Sequence, residues 1–224
     1  MKVTTDACLF GAWVANEDNS EKIIVKSVLD IGAGTGVLSL MYAQKNPSSH
    51  IDTIDIDEDA SQQAKENVVA SPFGKRINVI HGDVKTFALP GRYDRIISNP
   101  PFYEREVSSD NEKKNMAHHH SGLLFEELLN IIKTGLSPSG TFYLLLPFKR
   151  NEEIKKIILK QDLWVSKIVF VRQSTRHNYF RMMMAGKFEK ENYETVIEEI
   201  SILDDQQQYT NEFTNLLKDY YLHL

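Results

Sequence analysis

The chain has 224 residues, a formal net charge of −5, and 42% hydrophobic against 25% charged residues, proportions that suit one folded α/β domain and exclude a disordered or collagen-like chain. Its longest apolar runs, 142–146 and 168–171, fall far short of the roughly 20 residues that span a bilayer. Cys8 is the only cysteine, which excludes an internal disulfide, and residues 1–15 lack the basic start and apolar core of a secretory leader, so a reducing cytoplasm is expected.

A β-branched run at 25–31 stops at glycines, and helical content at 37–45 follows until Asn46-Pro47. Residues 51–56 predict a second strand, after which Asp57 or Asp59 can cap a helix reaching Ala70. Apolar runs at 77–81 and 94–98 predict two more strands, bounded by Gly or Pro as buried parallel strands are. Leu123, Leu124, Leu128, Ile131 and Ile132 recur at helical spacing, and Gly135 with Ser137-Pro138-Ser139-Gly140 then predicts a break before a strand at 141–146. A polar helix at 152–160, an antiparallel pair at 163–171 and 180–188, an optional strand at 196–203 and an amphipathic helix at 210–222 follow. This alternation predicts a Rossmann-like α/β fold: a seven-stranded, mainly parallel sheet with an antiparallel edge hairpin and helices on both faces. Residues 103–121 have little apolar periodicity and predict a mobile loop, and the whole of 1–224 is expected to form one domain.

In such a sheet, ligands bind at the carboxyl ends of the central strands. Asp30-Ile31-Gly32-Ala33-Gly34-Thr35-Gly36 closes the first predicted strand and opens the first predicted helix, with glycines where the backbone must turn sharply and approach a ligand. A dinucleotide fingerprint keeps two residues between its second and third glycines, and here only Thr35 stands there. The amino-acid and ribose portions of S-adenosylmethionine suit the loop better than a pyrophosphate does. Asp55, 19 residues after Gly36, can accept hydrogen bonds from both ribose hydroxyls, Asp57 could do the same, and Asp83 is placed to accept from an adenine amino group.

Ser98-Asn99-Pro100-Pro101-Phe102 follows the fourth strand. It resembles the N-P-P-[FY] signature of class I amino-methyltransferases, which act on adenine N6, guanine N2 or a glutamine amide. An amine conjugated to a ring or carbonyl is a poor nucleophile, because its lone pair is delocalised. The Asn99 side-chain oxygen and the Pro100 carbonyl can each accept one amine hydrogen and draw the nitrogen toward pyramidal geometry, the prolines holding that carbonyl rigid. Phe102 would stack on the substrate ring.

Residues Met1-Lys2-Val3-Thr4-Thr5-Asp6 and Leu9-Phe10-Gly11-Ala12-Trp13, with Leu29 through Gly36, Ile56-Asp57-Glu58-Asp59-Ala60, Glu66-Asn67-Val68, Arg76-Ile77-Asn78-Val79 and Ile96 through Phe102, resemble the bacterial tRNA(Val) (adenine-37)-N6-methyltransferase family. The match is close over the first half and looser afterwards, and Thr4 and Ala7 stand where that family often has glycine. The resemblance implies S-adenosylmethionine as cofactor and a tRNA as substrate, with no stable protein partner. It also implies that residues 1–20 cover the cofactor, through Thr5, Asp6 and Gly11, and that Asp30, Gly32, Gly34, Gly36, Asp55, Asp83 and Asn99 complete the cofactor site. Ribosomal RNA guanine-N2 methylation, protein glutamine methylation and a catalytically silent binding module are the alternatives.

Between Lys149 and Arg181 nine basic residues face three acidic ones, a local excess of 9 − 3 = +6. Lys149, Lys155, Lys156, Arg172, Arg176 and Arg181 are the candidate phosphate contacts, with His177 beside a hairpin loop. His118-His119-His120 is read as a solvated loop, and no metal is expected; Cys8, His81 and Trp13 are read as packing residues.

Overall fold

A computed structural model describes residues 2–20, 24–101, 123–188 and 194–223. Among the described residues, eight strands form one sheet, in the order β3-β2-β1-β4-β5-β7-β6-β8. The first five are parallel: β1 (Ser27–Ile31), β2 (His50–Asp55), β3 (Ile77–His81), β4 (Tyr93–Ser98) and β5 (Leu136–Pro147). β7 (Tyr179–Lys187) runs antiparallel between β5 and β6 (Trp164–Ser174), and β8 (Val196–Leu203) lies parallel to β6 at the edge. The predicted Rossmann-like sheet with its antiparallel hairpin is therefore present, but with eight strands where seven were expected, because 196–203 joins it.

Side chains alternate between two cores, one on each face of the sheet. On one face Val28, Ile97, Tyr143, Leu145 and Met183 pack against α1 (Thr5–Ser20), α2 (Val37–Lys45) and α6 (Asn211–Leu217). On the other, Leu29, Ile54, Ile96, Phe142 and Leu144 pack against α4 (Phe125–Gly135) and α5 (Asn151–Lys160). Helix α3 (Glu58–Ala70) starts at Asp57, whose carboxylate accepts from the Ala60 amide at 2.8 Å; of the two candidate caps, the chain uses that one. The break expected at 137–140 is instead a bulge. Helix α4 passes directly into β5, and the pairing with β4 jumps from Tyr93↔Leu136 to Arg95↔Thr141.

The carboxyl tail laces back onto the start of the fold. Gln44 donates to the Asp219 carbonyl at 2.7 Å, Lys45 pairs with the Asp219 carboxylate, and the Tyr220 hydroxyl donates to the Met41 carbonyl at 3.2 Å. Among the described residues, no helix is long and apolar enough to cross a membrane.

Deep beneath β4 the Asp18 carboxylate, 1% exposed, accepts from the Arg95 guanidinium at 2.5 and 2.7 Å and from the Tyr42 hydroxyl at 2.6 Å. Arg95 is itself 4% exposed, so removing the carboxylate strands a buried cation. Asp18→Ala is expected to lower unfolding stability by about 3–5 kcal/mol, measured by urea denaturation. A loss below about 1 kcal/mol would show that the pair is not structural.

Candidate active site

All four parallel strands that matter here stop at one level. The register pairs Ile31 with Ile54 on one side and with Ser98 on the other, and Asp55 with His81. The segments that follow, Gly32–Gly36, Ile56, Gly82-Asp83 and Asn99, therefore stand side by side across three strand spacings, about 14 Å.

The glycine loop shows why each glycine is needed. Gly32, Gly34 and Gly36 have φ of +72°, +55° and +76°, the left-handed region that costs an L side chain roughly 1–2 kcal/mol. The loop is pinned from three sides. Gly32 N–H donates to the Ile54 carbonyl at 2.9 Å, Gly34 N–H to the Asp55 carboxylate at 2.7 Å, and the Asn67 side chain of α3 to the Thr35 carbonyl at 2.9 Å. A Cβ on Gly36 would stand 3.3 Å from that of Ala64, so glycine and alanine let α3 close on the loop. A Cβ on Gly32, by contrast, would meet nothing within 4 Å and would stand in open space above the strand tips.

Asp55 accepts from Gly34 N–H through one oxygen and from Asp57 N–H at 2.9 Å through the other, which fixes its carboxylate at the rim. Since each carboxylate oxygen has a second lone pair, ribose hydroxyls can still bind there. Asp83 sits at the end of β3, its carboxylate accepting from Lys85 N–H at 2.9 Å. Asp30 is different, because it is wholly buried under the loop. One oxygen accepts from the Ser39 hydroxyl at 2.7 Å, while its Oδ1 has no hydrogen-bond partner. Burial is the main influence and pushes its carboxyl up to about 6, against the hydrogen bonds from Ser39. Asp30 thus supports the loop from below rather than lining the cleft.

Ser98 Oγ donates to the Ile31 carbonyl at 2.8 Å and ties the tip of β4 to the tip of β1. Asn99 and Pro100, both partly exposed, follow at once, so they stand one strand spacing from the glycine loop. Phe102, loop 103–121 and His118-His119-His120 lie outside the described residues. Among the described residues, no group of His, Cys, Asp and Glu could hold a metal ion.

At the start of α1, the Asp6 carboxylate accepts from Arg181 at 2.8 Å; Thr5 precedes it. Burial opposes ionisation of Asp6, but hydrogen bonds from Thr4 and Arg181 outweigh it and hold the carboxyl below its usual value. Gly11 lies away from the cleft: a Cβ there would stand 2.8 Å from Met41 Sδ, so its role is close packing of α1 on α2. Trp13 and Cys8 pack as expected, Trp13 edge-on to Tyr143 at 5.5 Å. His81 does not; it is exposed, its Nε2 3.2 Å from the Ile56 carbonyl.

The basic stretch is not one cationic face. Acidic groups from outside it are drawn in: Glu17 and Glu198 at Lys167, Glu199 at Arg172, Asp205 at Arg176 and Asp6 at Arg181. Within it, Glu152 meets Lys155 and Glu153 meets Arg150. Because β6 runs parallel to β5 and β7 antiparallel to it, Lys149, Arg172, Arg176 and Arg181 share the sheet edge that carries Asn99, whereas α5 carries Lys155 and Lys156 away from that edge.

One residue of the cleft was not legible in advance. Ile56 is 56% exposed, an aliphatic surface between Asp55 and Asp57 that suits the flat face of a nucleoside base. The available signal was an apolar residue continuing past the end of the β2 run.

A Rossmann-like sheet with this loop, these carboxylates and an Asn-Pro-Pro tip defines a methyltransferase, and residues 17–134 match the family model described as the methyltransferase small domain. The chain belongs, more particularly, to the tRNA1(Val) (adenine(37)-N6)-methyltransferase family. It is 38% identical to the curated enzyme of that name from Dyadobacter fermentans, over 99% of this chain and 91% of the relative. It is 35% identical to the one from Flavobacterium johnsoniae, over 100% of this chain and 94% of the relative. A crystal structure of a predicted O-methyltransferase from Agrobacterium tumefaciens shares the fold, with a TM-score of 0.69, 15% identity and 94% coverage of both chains.

Two outcomes follow from the loop. Gly32→Ala is expected to cost stability only about 1–2 kcal/mol, yet to weaken S-adenosylmethionine binding at least about tenfold because its methyl enters the cleft; calorimetric titration checks this, and unchanged affinity would refute the placement. Asp30 holds its proton more tightly folded than unfolded, so it stabilises below about pH 4 and loses that contribution as pH rises through about 6. Relative to Asp30→Asn, the wild type should lose roughly 2 kcal/mol between pH 4 and pH 7, and a pH-independent difference would contradict the assignment.

Proposed function

We propose that this chain transfers a methyl group from S-adenosylmethionine to the exocyclic N6 of an adenine in tRNA, adenosine 37 of tRNA(Val). The observation that carries the reading is the alignment of the glycine loop and Asn99 at adjacent strand tips, joined by the Ser98–Ile31 hydrogen bond. The curated relatives that match this chain over more than nine tenths of their own length bear the name of that activity.

The donor set fits the cofactor: open space over Gly32, a fixed carboxylate at Asp55, and an exposed aliphatic face at Ile56. Gly32, Gly34 and Gly36 would hold it from the strand-β1 side, Asp55 would accept from its ribose and Asp83 from its adenine. Thr5 and Asp6, at the start of α1, would close over it. When bound it supplies an electrophilic methyl on a sulfonium centre.

This chain's residues prepare the acceptor. Asn99 Oδ1 and the Pro100 carbonyl each accept one hydrogen of the amine, which turns its lone pair toward the methyl and disperses the positive charge that develops on nitrogen. Phe102 would stack on the adenine and hold its plane. Transfer is direct, and alignment of the two reactants provides much of the acceleration. A loop adenosine suits this site because its base can be splayed out of the stack. Lys149 and Arg176, on the same edge, are the basic groups best placed for phosphates.

Asn99→Ala is expected to reduce kcat by about 100-fold or more with the melting temperature unchanged. The measurement is transfer of labelled methyl to total tRNA, ribosomal RNA and protein, followed by nucleoside analysis. Label in guanine, in protein or nowhere would overturn the reading.

A further inference from the structure

The sheet edge that carries Asn99 is stepped. β4 ends at Ser98, which pairs with Leu144, but β5 continues through Pro147, and β7 and β6 continue with it to Tyr179 and Ser174. At roughly 3.3 Å per residue, β5 rises about 7 Å, β7 about 13 Å and β6 about 16 Å above the level of Asn99. They make a wall beside the cleft on the side away from the glycine loop.

The wall carries aromatic rings that the methyl-transfer site does not use. Phe148, just beyond β5, Phe170 of β6 and Tyr179 of β7 meet with ring centroids 5.1 to 5.3 Å apart, and each remains partly exposed. Phe180, next in the chain, is 39% exposed. The Arg172 guanidinium lies 5.5 Å from the Tyr179 ring centroid, and it is held there by Ser201 at 2.7 Å and Glu199 at 3.7 Å. Beyond it stands Arg176, whose side chain is 70% exposed even though it is paired with Asp205.

Rings gathered at a sheet edge, with a stacked guanidinium and an exposed arginine beyond, match the chemistry of unpaired nucleotides: flat bases to stack and phosphates to neutralise. Phe170 stands three strand spacings, about 14 Å, to the side of Asn99, and Phe148 and Tyr179 stand about 10 and 13 Å above its level, so the rings suit a neighbour of the reacting base rather than that base itself. We infer that Phe148, Phe170, Tyr179 and Arg172 form a stacking platform for an unpaired base flanking the methylated one, with Arg176 toward its phosphate. This rests on the reading of an RNA loop as substrate.

The test uses the full-length chain and an anticodon stem-loop of tRNA(Val) with 2-aminopurine at each nucleotide flanking the target in turn. Phe148→Leu and Tyr179→Leu, which keep apolar bulk, are compared with the wild type for fluorescence quenching, for KM toward unmodified tRNA and for S-adenosylmethionine affinity. The expected result is quenching by the wild type at one flanking position, lost in the variants, with KM raised about 5- to 100-fold, kcat at saturating RNA retained and cofactor affinity unchanged. Equal quenching and equal KM in wild type and variants would overturn the platform, as would a fall in melting temperature with KM unmoved, which marks the rings as internal packing. A wild type that quenches but methylates no RNA would refute the proposed activity and leave the platform standing.

Discussion

The arrangement depends on the clamp between β1 and β4. At the start of the pair the Asp94 carboxylate accepts from the Lys26 and Ser27 amides at 2.9 and 3.1 Å, and at the end Ser98 Oγ donates to the Ile31 carbonyl. Register in a buried sheet admits no one-residue slip, since a slip would turn every core side chain to the wrong face. With both ends pinned, the glycine loop and the Asn-Pro-Pro tip have one possible relation. A reaction that depends on alignment needs that rigidity more than it needs a strong base.

The other strand tips inherit their positions from this pair. Gly82 N–H donates to the Asp55 carbonyl at 2.9 Å, as Gly32 N–H does to that of Ile54, so each tip is bonded to its neighbour rather than left to solvent. On the far side, Asp6 and Arg181 bridge the first helix to the hairpin wall, and the half that would hold cofactor touches the half that would hold substrate. The cleft is thus a place where separately folded features are held by short bonds.

Much of this was legible in the sequence because the relevant signals are local. Left-handed glycines, a carboxylate at a strand end and a helix cap at Asp57 each act within a few residues, and their spacing carries over into the fold. Pairing partners are not local. The run 149–181 reads as strongly basic because Glu17, Glu198, Glu199, Asp205 and Asp6 come from elsewhere in the chain. The same limit left the strand at 196–203 only optional in the sequence, since its first four residues are all exposed and show no alternation, and it hid the bulge at 137–140, where turn-like residues sit within a pairing that continues around them. Ile56 was missed for the opposite reason, since an apolar residue at a strand end reads as core until its exposure is known.

The tail that laces back onto α2 has a consequence for the order in which the protein is built. Lys45 and Asp219 are 174 residues apart, so their contact belongs to the class that closes only after the intervening loops have been ordered. On the ribosome, the segment containing the glycine loop emerges before the 219–220 segment that braces its helix. Until that segment has been made, the glycine loop rests on a helix without this brace, and closing the contact couples two segments that lie far apart in the chain.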